Sequence, residues 1–237
     1  MIPIKDDNPT RKKPIIRLLI LCICTTVFLI QTTSSLNNEY IFFFGFKPAS
    51  LFNPDFNMPT FYPILTIFTS MFMHGGWLHF LGNMLYLWIF ADNIEDRIGH
   101  KRFIFFYILC GIIAALTQYF GNTKTPIPMI GASGAIAGVL GAYIYLFPKI
   151  KITVIIPLII FFFAVKLPAL IVLGFWFIIQ FINFSIITDQ SSGTAWLAHI
   201  GGFLAGLIYA VFFIKRKEYI RGKSKLVIKK TRNSPWT

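Results

Sequence analysis

A chain of 237 residues that is 56% hydrophobic and only 13% charged is no ordinary soluble domain, in which about a quarter of the residues carry charge. Apolar runs of roughly 20 residues recur along it, the length that crosses a bilayer core, so composition points to an all-α fold, a polytopic membrane helical bundle. The net charge of +13 is segregated along the chain, and that distribution argues against nucleic acid as a partner.

In chain order, residues 1–13 form a polar, basic leader. Ile15 to Thr33 reads as the first spanning helix, an uncleaved anchor, because the run is long and lacks a small-residue cleavage site. Asn37 to Trp77 is a long connection with interfacial aromatics, Phe42-Phe43-Phe44 among them, and reads as a partly embedded loop. Helix two is expected from about Leu78 to Ala91, helix three from Phe103 to Phe120, and helix four from Ser133 to Phe147. Helix five covers about Leu167 to Ile186 and helix six about Thr194 to Ile214. The membrane domain is thus 14–214, followed by a basic tail, 215–237. Cys22, Cys24 and Cys110 all fall in apolar segments, with neither disulfide nor metal spacing, and read as packing residues.

Ile152 to Val165 is ambiguous: fourteen mostly apolar residues interrupted by Pro157, which suits an interfacial or re-entrant piece better than a span. Charge decides between the topologies. With six spans, 20 of the 22 Lys and Arg residues fall on one side, and only Lys47 and Lys124 lie opposite. A seventh span would carry the basic tail across the membrane, against the positive-inside rule. The expectation is therefore six transmembrane helices with both termini cytoplasmic, and basic faces that meet anionic lipid.

Polar side chains inside such a bundle are costly and count as functional candidates. His79 and Asn83 on helix two, Ser133 on helix four and His199 on helix six stand out. Counting back along each helix at 1.5 Å per residue puts Ser133 and His199 roughly 21 to 22 Å, and His79 roughly 18 Å, from the basic end. Three helices so bring polar groups to one level, below the outer surface of a core about 30 Å thick. Helix four is short, so the loop before Ser133 dips into the membrane, where irregular backbone must be buried in protein or line water. Gly134 and Gly138, and Ala198, Gly202 and Gly206, make small-residue faces that let helices four and six approach closely. Taken alone, Ser133 could equally be one more packing residue on such a face, and Asn83 an interhelical structural bond.

Serine needs an adjacent base to become a nucleophile, and His199 suits that role. No Asp or Glu lies inside a predicted span, so a dyad is expected instead of a triad. His79 and Asn83, four apart on one helix face, both offer donors. With the Ser133 amide at a helix N-terminus they would stabilise an oxyanion. His74 falls in the outer loop and His100 in a cytoplasmic turn. Gly131-Ala-Ser-Gly-Ala135 is not a G-x-S-x-G elbow, since position 135 is Ala. His74, His79 and His199 have no carboxylate or Cys beside them, so a metal site is not expected.

His74-Gly-Gly-Trp-Leu-His79-Phe-Leu-Gly-Asn83, Gly131-Ala-Ser133-Gly134 and Ala198-His199-Ile-Gly-Gly202 resemble the three signatures of the rhomboid intramembrane serine proteases, in the same order and over about Leu65 to Ile214. The resemblance implies Ser133 as nucleophile and His199 as general base, with His79, Asn83 and Gly131 around the oxyanion and substrate. It also implies a serine endopeptidase that cuts single-span membrane proteins near the outer face, without a cofactor. A prokaryotic cell membrane is the expected location. Two departures stand out. Ala137 occupies the position where several members carry an aromatic that packs on the histidine, and Asn37 to Gly76 lacks the Trp-Arg pair common in the first outer loop. The alternatives are a rhomboid-like binding factor or chaperone without activity, against which the intact Ser133 and His199 speak, and a transporter, for which no inverted repeat is evident. The loop Asp189 to Gly193 is expected to be mobile and to cap the cavity.

Overall fold

The computed structural model describes residues 1–51, 59, 61–158, 161–186 and 194–214. The expected capping loop, the basic tail and part of the first connection lie outside the described residues.

The bundle expected from composition is present. Helix α1, Ile15–Thr33, buries one stripe, Arg17, Ile20, Cys24, Phe28 and Gln31, at the three- and four-residue spacing of a single helix face. The connection after it is more regular than a loop: it holds two short helices, α2 (Asn37–Phe44) and α3 (Tyr62–Ser70), and a single 3-10 turn at Pro48–Ser50. Helix α4, Trp77–Ile98, runs past Ala91, so its last turns include Asp92, Glu95 and Asp96. Helix α5, His100–Gly121, follows at once. Gly99 joins the two at φ +81, a left-handed conformation that suits glycine and ends the first helix. Helices α6 (Ser133–Leu146), α7 (Ala169–Ile186) and α8 (Trp196–Phe213) complete the set.

Among the described residues, α1, α5, α7 and α8 are long and apolar enough to cross a membrane by length and composition. Helices α4 and α6 stand where the other two spans were expected; α4 is 22 residues long with charged last turns, and α6 has only 14 residues. Helix α6 is the centre of the molecule. Every residue from Ala135 to Tyr143 is buried, and the helix touches α4, α5, α7 and α8.

The α6–α8 contact has the small-residue character anticipated from the sequence. A Cβ on Gly202 would overlap the Gly134 carbonyl oxygen, and one on Gly206 would overlap that of Gly138. Backbones this close leave no room for side chains between them. This pairing sets where the N-terminal turns of α6 and α8 meet.

A small sheet accompanies the helical bundle. Ile2–Asp6 is a strand, β1, and the ambiguous segment is a hairpin of β2 (Lys151–Leu158) and β3 (Phe161–Pro168). The sheet is antiparallel in order β1-β2-β3, with Ile2 opposite Ile155 and Thr153 opposite Lys166. Ile152 and Val154 are fully buried while Lys151 is exposed, the alternation of a strand packed on one face. The leader is therefore part of the fold, tied to the far end of α6 by a hydrogen bond of 2.6 Å from the Tyr143 hydroxyl to Asp6 Oδ2.

Candidate active site

The loop before α6 is fixed by backbone bonds. Phe46 and Met129 exchange hydrogen bonds of 3.0 and 2.7 Å, and Gly131 N donates to Ser70 O at 2.8 Å. Gly131 then turns at φ +122. A Cβ there would sit 2.7 Å from His79 Nε2, so both the backbone angle and the neighbouring imidazole demand glycine. The turn delivers Ser133 as the first residue of α6.

Helix α8 delivers its partner. His199 lies in the helix's first turns, and its Nε2 is 2.8 Å from Ser133 Oγ. Close α6–α8 packing makes the distance possible, since Gly202, nearly one turn beyond His199, rests against the backbone of Gly134, next to Ser133.

The sequence left open what steadies His199. Ala137 is fully buried and, as an alanine, has no ring to stack on the imidazole. The brace comes from α7: His199 Nδ1 is 2.9 Å from Gln180 Oε1, and Gln180 Nε2 donates to Trp176 O at 3.0 Å. The Trp176 ring lies 5.9 Å from the imidazole at 38°, and Trp196 meets it edge-on at 6.1 Å. Gln118 Oε1 accepts from Ala198 N at 3.2 Å, tying α5 to the same turn. Sequence reasoning missed Gln180, Trp176, Trp196 and Gln118. The signal for Gln180 was available, because the argument that singles out buried polar groups in spans applies to it as much as to Asn83.

Helix α4 contributes His79 and Asn83. Asn83 is buried, and its amide nitrogen has no partner among the described residues. His79 Nδ1 lies 3.4 Å from Gly75 N, which donates to it. Ser133, His199, His79, Asn83, Gly131, Trp176 and Gln180 all line one cavity of about 1150 Å³. The five residues singled out from the sequence are thus gathered at one cavity.

The other two histidines lie elsewhere. His74, expected in an outer loop, lies in the short connection just before α4 and is 1% exposed. Gln31 of α1 pins its backbone, accepting from His74 N at 3.1 Å and donating to His74 O at 3.2 Å. Its ring packs edge-on against Phe28, His79 and Phe80. His100 opens α5 at the opposite end of α4, 2.5 Å from Glu95 Oε1. Among the described residues, no group of three or more His, Cys, Asp or Glu side chains stands at metal-binding spacing.

A Rhomboid domain family model matches residues 63–216, which includes every residue of the cavity just named. Among curated proteins, the chain is 29% identical over 191 residues to the presenilin-associated rhomboid-like protein, mitochondrial, of Homo sapiens, covering 78% of this chain and 45% of that one. It is 30% identical over 165 residues to the Saccharomyces cerevisiae Rhomboid protein 1, mitochondrial, with 65% and 43% covered. To the Arabidopsis thaliana RHOMBOID-like protein 5 it is 27% identical over 159 residues, with 65% and 45% covered. The chain spans less than half the length of each of these relatives.

Proposed function

This integral multi-pass membrane protein belongs to the rhomboid family, and on that footing we propose that it is an intramembrane serine endopeptidase working through a Ser133–His199 dyad. The observation that carries the reading is the 2.8 Å approach of Ser133 Oγ to His199 Nε2 at the wall of a cavity. Nε2 takes the hydroxyl proton as Oγ attacks the peptide carbonyl. The resulting oxyanion is stabilised by N–H donors from Asn83 and His79 and by the Ser133 amide at the start of α6. His199 then returns the proton to the leaving amine, and water hydrolyses the acyl-enzyme with the same base.

The substrates are single-span membrane proteins. A peptide bond inside a helix has its carbonyl and N–H engaged, so a substrate helix must unwind locally at the cavity before Oγ reaches it. The cut falls near the outer face, because Ser133 and His199 start their helices at the end away from the basic residues. We place that basic end, both termini included, on the cytoplasmic side of a prokaryotic cell membrane, in keeping with the positive-inside rule. Cysteine labelling tests the orientation: a probe that cannot cross the membrane should reach Lys124→Cys from outside and Lys101→Cys only after lysis.

The activity is tested with purified full-length protein and a reporter transmembrane substrate in lipid vesicles. Wild type should cleave it, and Ser133→Ala and His199→Ala should each lose at least about 10³-fold in kcat. Equal cleavage by wild type and Ser133→Ala, or no cleavage by wild type across varied substrates, would reject the protease.

A further inference from the structure

We propose that Gln180 is the positioning residue of the Ser133–His199 pair, holding His199 in the tautomer that leaves Nε2 free to take the serine proton. The proposal rests on the protease reading above and adds a third member to its machinery, on a different helix.

The hydrogen-bond network sets which way the Gln180 amide faces. Its nitrogen lies 3.0 Å from the Trp176 carbonyl, one turn earlier on α7, and a carbonyl only accepts. Turning the amide round would set two oxygens against each other with no proton between them. Oε1 is therefore the atom that faces His199 Nδ1, at 2.9 Å. An amide oxygen only accepts as well, so Nδ1 must carry the hydrogen. A neutral imidazole with its hydrogen on Nδ1 has its lone pair on Nε2, the atom 2.8 Å from Ser133 Oγ. The chain of bonds from Trp176 O to Ser133 Oγ thus has one consistent direction, and it ends with the base ready to accept.

Burial makes the constraint firm. Gln180 is 4% exposed, so water does not readily replace its oxygen. It is also the only buried residue of α7 beyond Leu173. Its side chain has no other use among the described contacts. A carboxylate in this place would have to be buried with its charge, whereas a neutral amide orients the ring without that cost. When His199 takes the proton, Nδ1–H still donates to Oε1, so the same contact serves the ring in both states.

The experiment uses the full chain in lipid nanodiscs, with its four histidines labelled with ¹⁵N, and reads both ring tautomer and cleavage. Wild-type His199 should carry its hydrogen on Nδ1. Gln180→Met, similar in length but without the acceptor, should give a mixed tautomer and lower kcat by roughly 10²-fold with KM little changed. Gln180→Glu, which keeps an acceptor oxygen at Nδ1, should retain the Nδ1–H form and more of kcat than the Met variant. A hydrogen on Nε2 in the wild type overturns the proposal without recourse to a variant. So does Gln180→Met with unchanged tautomer and kcat, a Glu variant no better than Met, or a loss of kcat matched by an equal loss of folded protein. The tautomer is read whether or not a substrate is cleaved. Failure of the protease reading alone would leave the Nδ1–H signal in place, and failure of the brace alone would leave cleavage in place.

Discussion

Asn83 and Gly131 act on the cavity from elements other than those of the serine and histidine, so single substitutions separate their contributions. Asn83 is buried, and among the described residues its amide nitrogen has no partner; on the proposed protease reading it is a donor for the charge that develops during reaction. Asn83→Ala should lower kcat by about 10²- to 10³-fold while KM changes little; a loss expressed only in KM would show that Asn83 binds the ground state. Gly131→Ala should lower activity by displacing His79, whose imidazole occupies the place of a Cβ, and the left-handed φ adds strain. Ser133, His199, His79 and Asn83 were legible in the sequence because polar groups in apolar helices are rare and costly. Gln180 carried the same signal and was passed over; its contact with His199 emerges only once α7 is placed beside α8.

At the scale of elements, the α6–α8 contact carries the site and is held by glycines. Gly202→Ala would drive a methyl group into the Gly134 carbonyl, and backbone cannot rotate away as a side chain can. It should destabilise the protein by roughly 1–3 kcal/mol, seen as a lower Tm. Gly174→Ala on α7 meets nothing within 4 Å and should leave Tm unchanged or slightly raised, since alanine favours a helix. Helix α1 offers a second test. Its first turn has no side-chain cap of its own; instead the Glu95 carboxylate of α4 accepts from Ile16 N and Arg17 N, both at 2.8 Å. Anions suit helix N-termini, and Glu95→Ala should cost about 1.5–3 kcal/mol by leaving those amides unpartnered. The ends of α1 and α6 followed closely from apolar length and the Gly-Ala-Ser turn. The extension of α4 through Glu95 did not, because charged residues look like the end of a span until a neighbouring helix terminus satisfies them.

For the molecule as a whole, the N-terminal strand and the hairpin form a clasp across the end of the bundle away from the site. Asp6 bonds to Tyr143 of α6, Asp7 to Lys166 of β3 at 2.9 Å, and Asn93 of α4 to Asn8 O at 3.1 Å. Burial raises Asp6 above the ordinary carboxyl value of 3.8, partly offset by the Tyr143 hydroxyl. A raised carboxyl favours its neutral form in the folded state. Its contribution is therefore full in acid and is lost as pH rises through the shifted value. Asp7 is shifted the opposite way, mainly by the hydrogen bond from Lys166, but it is exposed and solvent screens it. Tm of the wild type relative to Asp6→Asn should thus fall as pH rises above the ordinary carboxyl value of 3.8; parallel curves would show that Asp6 does not couple to the fold.

Apolar length and charge asymmetry were enough to establish a membrane bundle, the expected positions of its helices and the polar residues worth suspecting, because a bilayer imposes those constraints on each segment separately. The strand character of Ile152 to Ile156 was also present, as a β-branched run, but an apolar segment in so apolar a chain reads first as membrane. Tertiary structure alone decided the rest. The pairing of Ile2 with Ile155, the pinning of His74 by Gln31 and the bracing of His199 by Gln180 join residues that are distant in sequence. Such contacts exist only after close helix packing has fixed which faces meet, and no local property of either partner announces the other.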